Sequence, residues 1–170
     1  SKITGYLVND HYLGRGPRAW IEKGTIYGAT SVMIRSSRIP KYGFDERMPI
    51  VSDWKLYIDS LVDNSIFGCL PEYLGVYRKH SNNITNIKEP IMRDAQKTLN
   101  LVEEELPQFK LSVRIGRAYI LKYGSGINAY HKGEYNRAII FFGQSIVQWP
   151  FNYRPYIRIL QSVLKGMLKK

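Results

Sequence analysis

Ser52-Asp53-Trp54-Lys55-Leu56-Tyr57-Ile58-Asp59-Ser60-Leu61 is the stretch on which the reading of the first half turns. Ser52 is a good helix N-cap, and Trp54, Tyr57, Ile58 and Leu61 follow the i, i+3, i+4, i+7 spacing of a buried stripe. The spacing makes Asp53 the first helical residue and turns Lys55, Asp59 and Asp63 outward. Around this helix the pattern is that of short strands and turns. Gly43-Phe44-Asp45-Glu46 is turn-like, and residues 14–17, with two glycines and a proline, read as a loop. Residues 25–34 are rich in β-formers, interrupted by small residues where another group could approach the backbone closely. Residues 5–9, 66–70 and 73–77 give three more short strand candidates. Residues 1–87 are therefore predicted to be α/β.

From Glu89 the period becomes helical and stays so. Ile91, Ala95, Leu99, Val102 and Leu106 form one stripe, which Pro107 ends. Ile115, Ala118 and Tyr119 support a second helix, expected to stop around residues 124–126. Beyond it, Gly126, Tyr135, Ala138, Phe142, Ser145 and Pro150 match a partial tetratricopeptide pattern. One such unit cannot stand as a solenoid, so a helical hairpin packed on its neighbours is expected. Residues 88–170 are predicted to form an all-α, partly tetratricopeptide-like tail.

Composition narrows the class. Of 170 residues, 44% are hydrophobic and 23% charged, ordinary values for a globular protein, and no apolar run approaches membrane-span length. The start has no signal-peptide layout, and the single cysteine, Cys69, excludes an internal disulfide and fits a reducing, cytoplasmic setting. Cys69 lies in an apolar run and reads as a structural thiol. The net charge of +11 is concentrated in the tail: residues 106–170 hold eleven Lys/Arg against one acid, Glu134.

Four landmarks occur in order: Gly28-Ala29-Thr30-Ser31-Val32-Met33-Ile34-Arg35, Gly43-Phe44-Asp45-Glu46, Ser52-Asp53-Trp54 and Tyr77-Arg78-Lys79-His80. The series resembles the second half of the GT-A catalytic domain of bacterial family-2 inverting glycosyltransferases, over roughly residues 5 to 85. The resemblance implies a GT-A-type half-domain over residues 1–87, followed by the helical appendage over 88–170. The family's Asp-x-Asp, which holds metal and sugar nucleotide, has no counterpart anywhere in the chain. The expectation is therefore an acceptor-side fragment that lacks most of the nucleotide-binding half and is inactive alone. Ser52 also stands where the family often has Glu.

Inverting transfer is one in-line displacement at an anomeric carbon. It needs a base for the acceptor's proton and positive charge on the departing diphosphate. The resemblance assigns Asp53 as that base; read from local sequence alone, a first-turn helix acid, favoured there by the helix dipole, is the better reading. His80 matches a histidine that in some relatives helps bind a divalent metal, Mn²⁺ or Mg²⁺. Arg78 would pair with phosphate oxygens, and Thr30 and Ser31 would line the acceptor wall. Trp54 is carried over as a substrate contact, although its place on the apolar stripe also suits a core residue.

The partners implied are a nucleotide-sugar donor and a saccharide or lipid-linked acceptor, as in polysaccharide or glycolipid assembly. The competing reading is a basic helical module binding nucleic acid or protein, because aromatics alternate with cations in the tail. Helical core spacing of those aromatics and the lack of a nucleic-acid motif weigh against nucleic acid. On a helix through residues 154–169, Arg154, Arg158, Gln161, Lys165 and Lys169 share one stripe, away from Tyr156, Ile157, Leu160, Val163, Leu164, Met167 and Leu168. That layout suits peripheral contact with an anionic membrane at its inner face, or else a helix whose apolar face docks on the body.

Overall fold

The computed structural model describes residues 14–24, 31–68, 70, 72 and 82–168. The chain divides into two compact units, Ser1–Thr98 and Leu99–Lys170.

In the first unit, Pro17 leads into helix α1 (Arg18–Lys23), where its fixed φ suits a helix start. Gly24 ends it at φ 77°, a left-handed conformation open to glycine, and donates its N–H to the Trp20 carbonyl at 3.0 Å. Helix α2 (Ser52–Ser60) begins one residue earlier than the N-cap reading placed it: Val51 precedes the helix, and no side chain caps it. Trp54 is buried (2% exposed), and its indole N–H donates to the Trp20 carbonyl at 2.8 Å. Trp20 also meets Tyr57, with ring centroids 4.9 Å apart, and Phe67 at 5.0 Å. Met48, Val51, Leu56, Ile58 and Leu61 complete the buried set around these rings. Helix α3 (Lys88–Glu105) joins this unit through its first half. There the buried Asp94 carboxylate accepts the Ile50 N–H at 3.0 Å, and Thr98 Oγ1 lies 2.9 Å from Met48 Sδ.

The α/β expectation is overturned. The described residues are mostly helical, and their one ladder is a two-residue antiparallel pair, β1 (Gly14–Arg15) with β2 (Ile66–Phe67), in register Gly14↔Phe67 and Arg15↔Ile66. No GT-A half-domain is present among them; the fold is of the helical class. The strand candidate at residues 66–70 shrinks to two residues, and β1 forms where a loop was expected. Residues 32–35, though β-prone, run without a strand partner into a 3-10 turn at Ser36–Arg38. A strand is completed by its neighbour, whereas a helix closes its own hydrogen bonds, so β-propensity without a partner leaves only extended chain. The candidates at residues 5–9 and 73–77, and most of 25–34, lie outside the described residues.

Lys55 also departs from its expected outward place. It is buried (1% exposed), and its Nζ lies 2.6 and 2.8 Å from the Asp59 carboxylate oxygens one turn on. Tyr42 donates its hydroxyl to the same carboxylate. An i, i+4 partner allows the ammonium to be enclosed without being isolated.

In the second unit, α4 (Lys110–Gly116), a π-helical segment (Arg117–Tyr123) and α5 (Gly124–His131) form one uninterrupted rod, with helical dihedrals at both junctions. The helix expected to stop near residues 124–126 therefore continues to His131. Gly126 is present for proximity rather than as a breaker: a Cβ there would stand 2.5 Å from Phe142 Cε1. The rod ends in a Schellman motif, with Gly133 at φ 76°, its N–H on the Tyr130 carbonyl at 3.0 Å and that of Glu134 on Ala129 at 3.0 Å. Helix α6 (Tyr135–Gln148) packs back on it through Ala138, Phe142 and Ser145, and Ser145 Oγ donates to the Ala118 carbonyl of the π segment at 2.8 Å. Helix α7 (Arg154–Leu168) lies against α6, burying Pro155 and Ser162.

Two substitutions test this packing. Asp59→Ala leaves the Lys55 ammonium enclosed without its main carboxylate, and should cost about 3–5 kcal/mol. In a urea melt, Lys55→Met/Asp59→Ala should cost less than Asp59→Ala alone; a larger loss in the double variant would refute the buried pair. Gly126→Ala should lower the melting temperature by a few degrees, because overpacking of about 1–3 kcal/mol outweighs roughly 1 kcal/mol of helix propensity. With Phe142→Leu in place that penalty should shrink or reverse, and equal penalties in both backgrounds would show that the ring is not the obstacle.

Candidate functional site

The first unit holds the groups with the most distinctive chemistry. Asp53 sits in the first turn of α2, half-buried, with Oδ1 accepting the Trp54 N–H at 2.8 Å. Burial pushes its carboxyl above the usual aspartate value of 3.8, against the lowering effect of the backbone N–H groups of Trp54 and Asp53. One turn on, Tyr57 is buried, and its phenol has no hydrogen-bond partner among the described residues. Desolvation, with the Asp53 charge adding to it, pushes that phenol up to about 12, so it stays protonated at neutral pH and is fitted to donate.

Tyr57 lines a cleft of about 510 Å³. One wall is residues 32–35 with Ser37 and Arg38; the other is Ser60, Leu61 and residues 64–67. Arg35 brings a cation to it, while Arg38 pairs with Asp63. The Asp45 carboxylate, in the predicted turn, is held by Arg47 through Nε at 2.9 Å and Nη2 at 2.6 Å, and that contact keeps its carboxyl below the usual range. The turn is thus occupied by an internal ion pair. A larger, open groove of about 830 Å³ lies in the second unit between the start of α6 and the end of α7. Its Glu134 and Arg137 pair with each other at 3.2 Å.

Of the residues singled out from sequence, Asp53 is placed where a carboxylate can be reached. Trp54 is enclosed and bonded to the Trp20 carbonyl, which puts its ring in the core rather than on a surface a sugar could reach. Ser31 is exposed. Thr30, Arg78 and His80 lie outside the described residues. Among the described residues no three His, Cys, Asp or Glu side chains come together to hold a metal ion. The buried phenol of Tyr57 was not foreseen, because its spacing alone marks a core residue and says nothing of its polar end. No protein-family model, curated protein or solved structure matches the chain.

The raised Asp53 carboxyl has a consequence for stability. A group whose folded-state value is raised favours the fold when protonated, and that contribution is lost as pH rises through the folded value. At neutral pH the Asp53 charge therefore opposes folding. Asp53→Asn, which can still accept the Trp54 N–H, should melt at the same temperature or higher at pH 7, with the difference closing as pH falls toward 3.8. A clear loss of melting temperature at pH 7 would make Asp53 a stabilising helix-start acid instead.

Proposed function

We propose that this chain activates an acceptor hydroxyl for inverting sugar transfer from a nucleotide-sugar, with Asp53 as the general base. The observation that carries this reading is a reachable carboxylate made more basic by partial burial, at the first turn of a helix otherwise anchored in the core. Its placement in the Ser52-Asp53-Trp54 landmark adds support from the family resemblance. In the reaction the acceptor oxygen forms its bond to the anomeric carbon as its proton passes to Asp53. The bond from that carbon to the nucleotide diphosphate breaks, and the diphosphate leaves with its electron pair. A base raised toward the working pH takes the proton more readily than an ordinary aspartate. Tyr57, held protonated, is not a competing base.

The donor diphosphate is assigned to residues outside this chain, which contains no Asp-x-Asp. A divalent ion, Mn²⁺ or Mg²⁺, would there neutralise the diphosphate's growing charge. His80, its suggested ligand here, lies outside the described residues. The alternative of a nucleic-acid module has less support. Two tail aromatics that could stack on bases are engaged internally: Arg158 and Lys165 each lie 5.6 Å from the Tyr130 ring centre, and Arg137 lies 5.8 Å from that of Phe141.

The test is turnover in the complete protein that carries this segment. Asp53→Asn should lower it by roughly 10² to 10⁴, the usual worth of a positioned base, with donor affinity little changed. The ascending limb of the parent's pH profile should lie above the ordinary aspartate value and vanish in the variant. Turnover within a few-fold of the parent, in folded protein, removes Asp53 from the chemistry.

A further inference from the structure

The packing of α7 leaves an unusual surface. Against α6 the helix uses small or compact positions: Pro155 and Ser162 are buried, and Gly166 rests against Tyr135, whose Cβ would stand 3.7 Å from a Cβ on the glycine. Ser162 turns its hydroxyl onto the Arg158 carbonyl of its own helix at 2.7 Å, which suits a polar residue to that buried seam. Ile159 packs there too, on the cluster of Ala129, Ala138 and Phe142, while the other large apolar side chains point elsewhere. Leu160 is 61% exposed, Leu164 53% and Met167 70%, and Tyr156, Ile157, Val163 and Leu168 are exposed with them. The packing of α7 on its own unit therefore leaves this apolar face uncovered.

At 100° per residue these seven positions span an arc of about 140° on the helix. Arg154, Arg158 and Lys165 run along one edge of that face, and the seam with α6 closes the other side. Arg158 and Lys165 are drawn over the Tyr130 ring at 5.6 Å, which fixes the cationic edge beside the apolar face. Just before the helix, the exposed Phe151 packs edge-on against Trp149 at 5.2 Å, and Tyr153 is exposed too. Rings of this kind favour a water–lipid boundary. No described helix is long and apolar enough to cross a membrane.

We infer that α7 lies flat on an anionic lipid surface, its apolar face in the acyl boundary and its basic edge among the phosphates. Charge decides the occupant. From Tyr135 to the end the chain has six Lys/Arg and no acid, so the same region of a second copy offers the basic edge no opposite charge. A surface of lipid phosphates satisfies both parts of the helix at once. The inference is independent of the acceptor-activation proposal: loss of lipid binding would leave the role of Asp53 untouched, and the reverse holds as well.

Co-sedimentation of the 170-residue chain with vesicles tests it, using phosphatidylcholine alone and phosphatidylcholine mixed with phosphatidylglycerol. Binding should favour the mixed vesicles by at least about tenfold and fall steeply with added salt. Lys165→Gln should weaken it by roughly fivefold, the worth of one cation near such a surface. Leu160→Gln/Leu164→Gln should abolish it with the circular-dichroism melt intact, since both side chains are exposed in the fold. Should that double variant unfold, the salt series and Lys165→Gln still decide. Equal binding to both vesicle types overturns the inference, as does no binding by folded protein. Self-association that the leucine substitutions abolish, without lipid binding, overturns it in favour of a second copy.

Discussion

The carbonyl of Trp20 accepts two hydrogen bonds, from the Gly24 N–H that ends α1 and from the Trp54 indole in α2, at 3.0 and 2.8 Å. A carbonyl oxygen has two lone pairs, and here the second is used to fix a second helix. Because the donor is at the end of a rigid two-ring side chain, the bond sets how far α2 stands from α1 and how it is rotated. Tyr57, one turn along, is held by the Trp20 ring at 4.9 Å, and Phe67 closes on the same ring from β2. That rotation decides the surroundings of every α2 side chain. It encloses Lys55 and leaves Asp53 half in water, so the buried pair and the candidate base follow from one constraint.

A comparable constraint in the second unit is the approach of Phe142 to the backbone at Gly126. The ring occupies the space any other residue's Cβ would need, which brings α6 close to the rod and lets Ser145 reach the Ala118 carbonyl. The acceptor of that bond lies in the π-helical segment, where the wider turn alters the ordinary carbonyl ladder. Once α6 is seated, only a narrow seam remains for α7. Proline, serine, glycine and Ile159 fill it, and the rest of the bulky side of α7 is turned out.

What the sequence disclosed, and what it hid, divide along the range of the interactions involved. The apolar stripe of α2 was legible, since Trp54, Tyr57, Ile58 and Leu61 are brought together by helical geometry alone, and all four are buried. Lys55 was misplaced because its spacing marks a solvated position, and the carboxylate of Asp59, itself held by the Tyr42 hydroxyl, helps make its burial tolerable. Gly126 looked like a stop because a glycine's cost to a helix is local, whereas its benefit depends on a ring sixteen residues away. The α/β reading failed at residues 32–35 and 66–70 for a related reason. β-prone composition describes what a chain can do beside a partner strand, and the described partner extends over two residues only. At the site, Asp53 could be named from its motif, but the burial that raises its carboxyl depends on how neighbouring residues close around it. The Tyr57 phenol, whose polar end has no signature in helical periodicity, could not be named at all.

Asp53 and the outer face of α7 share a thermodynamic character. Each is a place where the folded chain accepts a cost that another residue would avoid: a carboxylate partly stripped of water, and leucines left in it. Most of the remaining polar burial is matched, as with Asp94 on the Ile50 N–H, Ser145 on Ala118 and Lys55 on Asp59. Costs left standing are informative against such a background, since local rules are broken most readily where something other than stability is served. The costs also differ in what would relieve them. A proton relieves Asp53, and an apolar phase beside negative charge relieves α7. A carboxylate relieved by a proton is what the proposed base requires, and a helix relieved by an anionic boundary is what the proposed lipid contact requires.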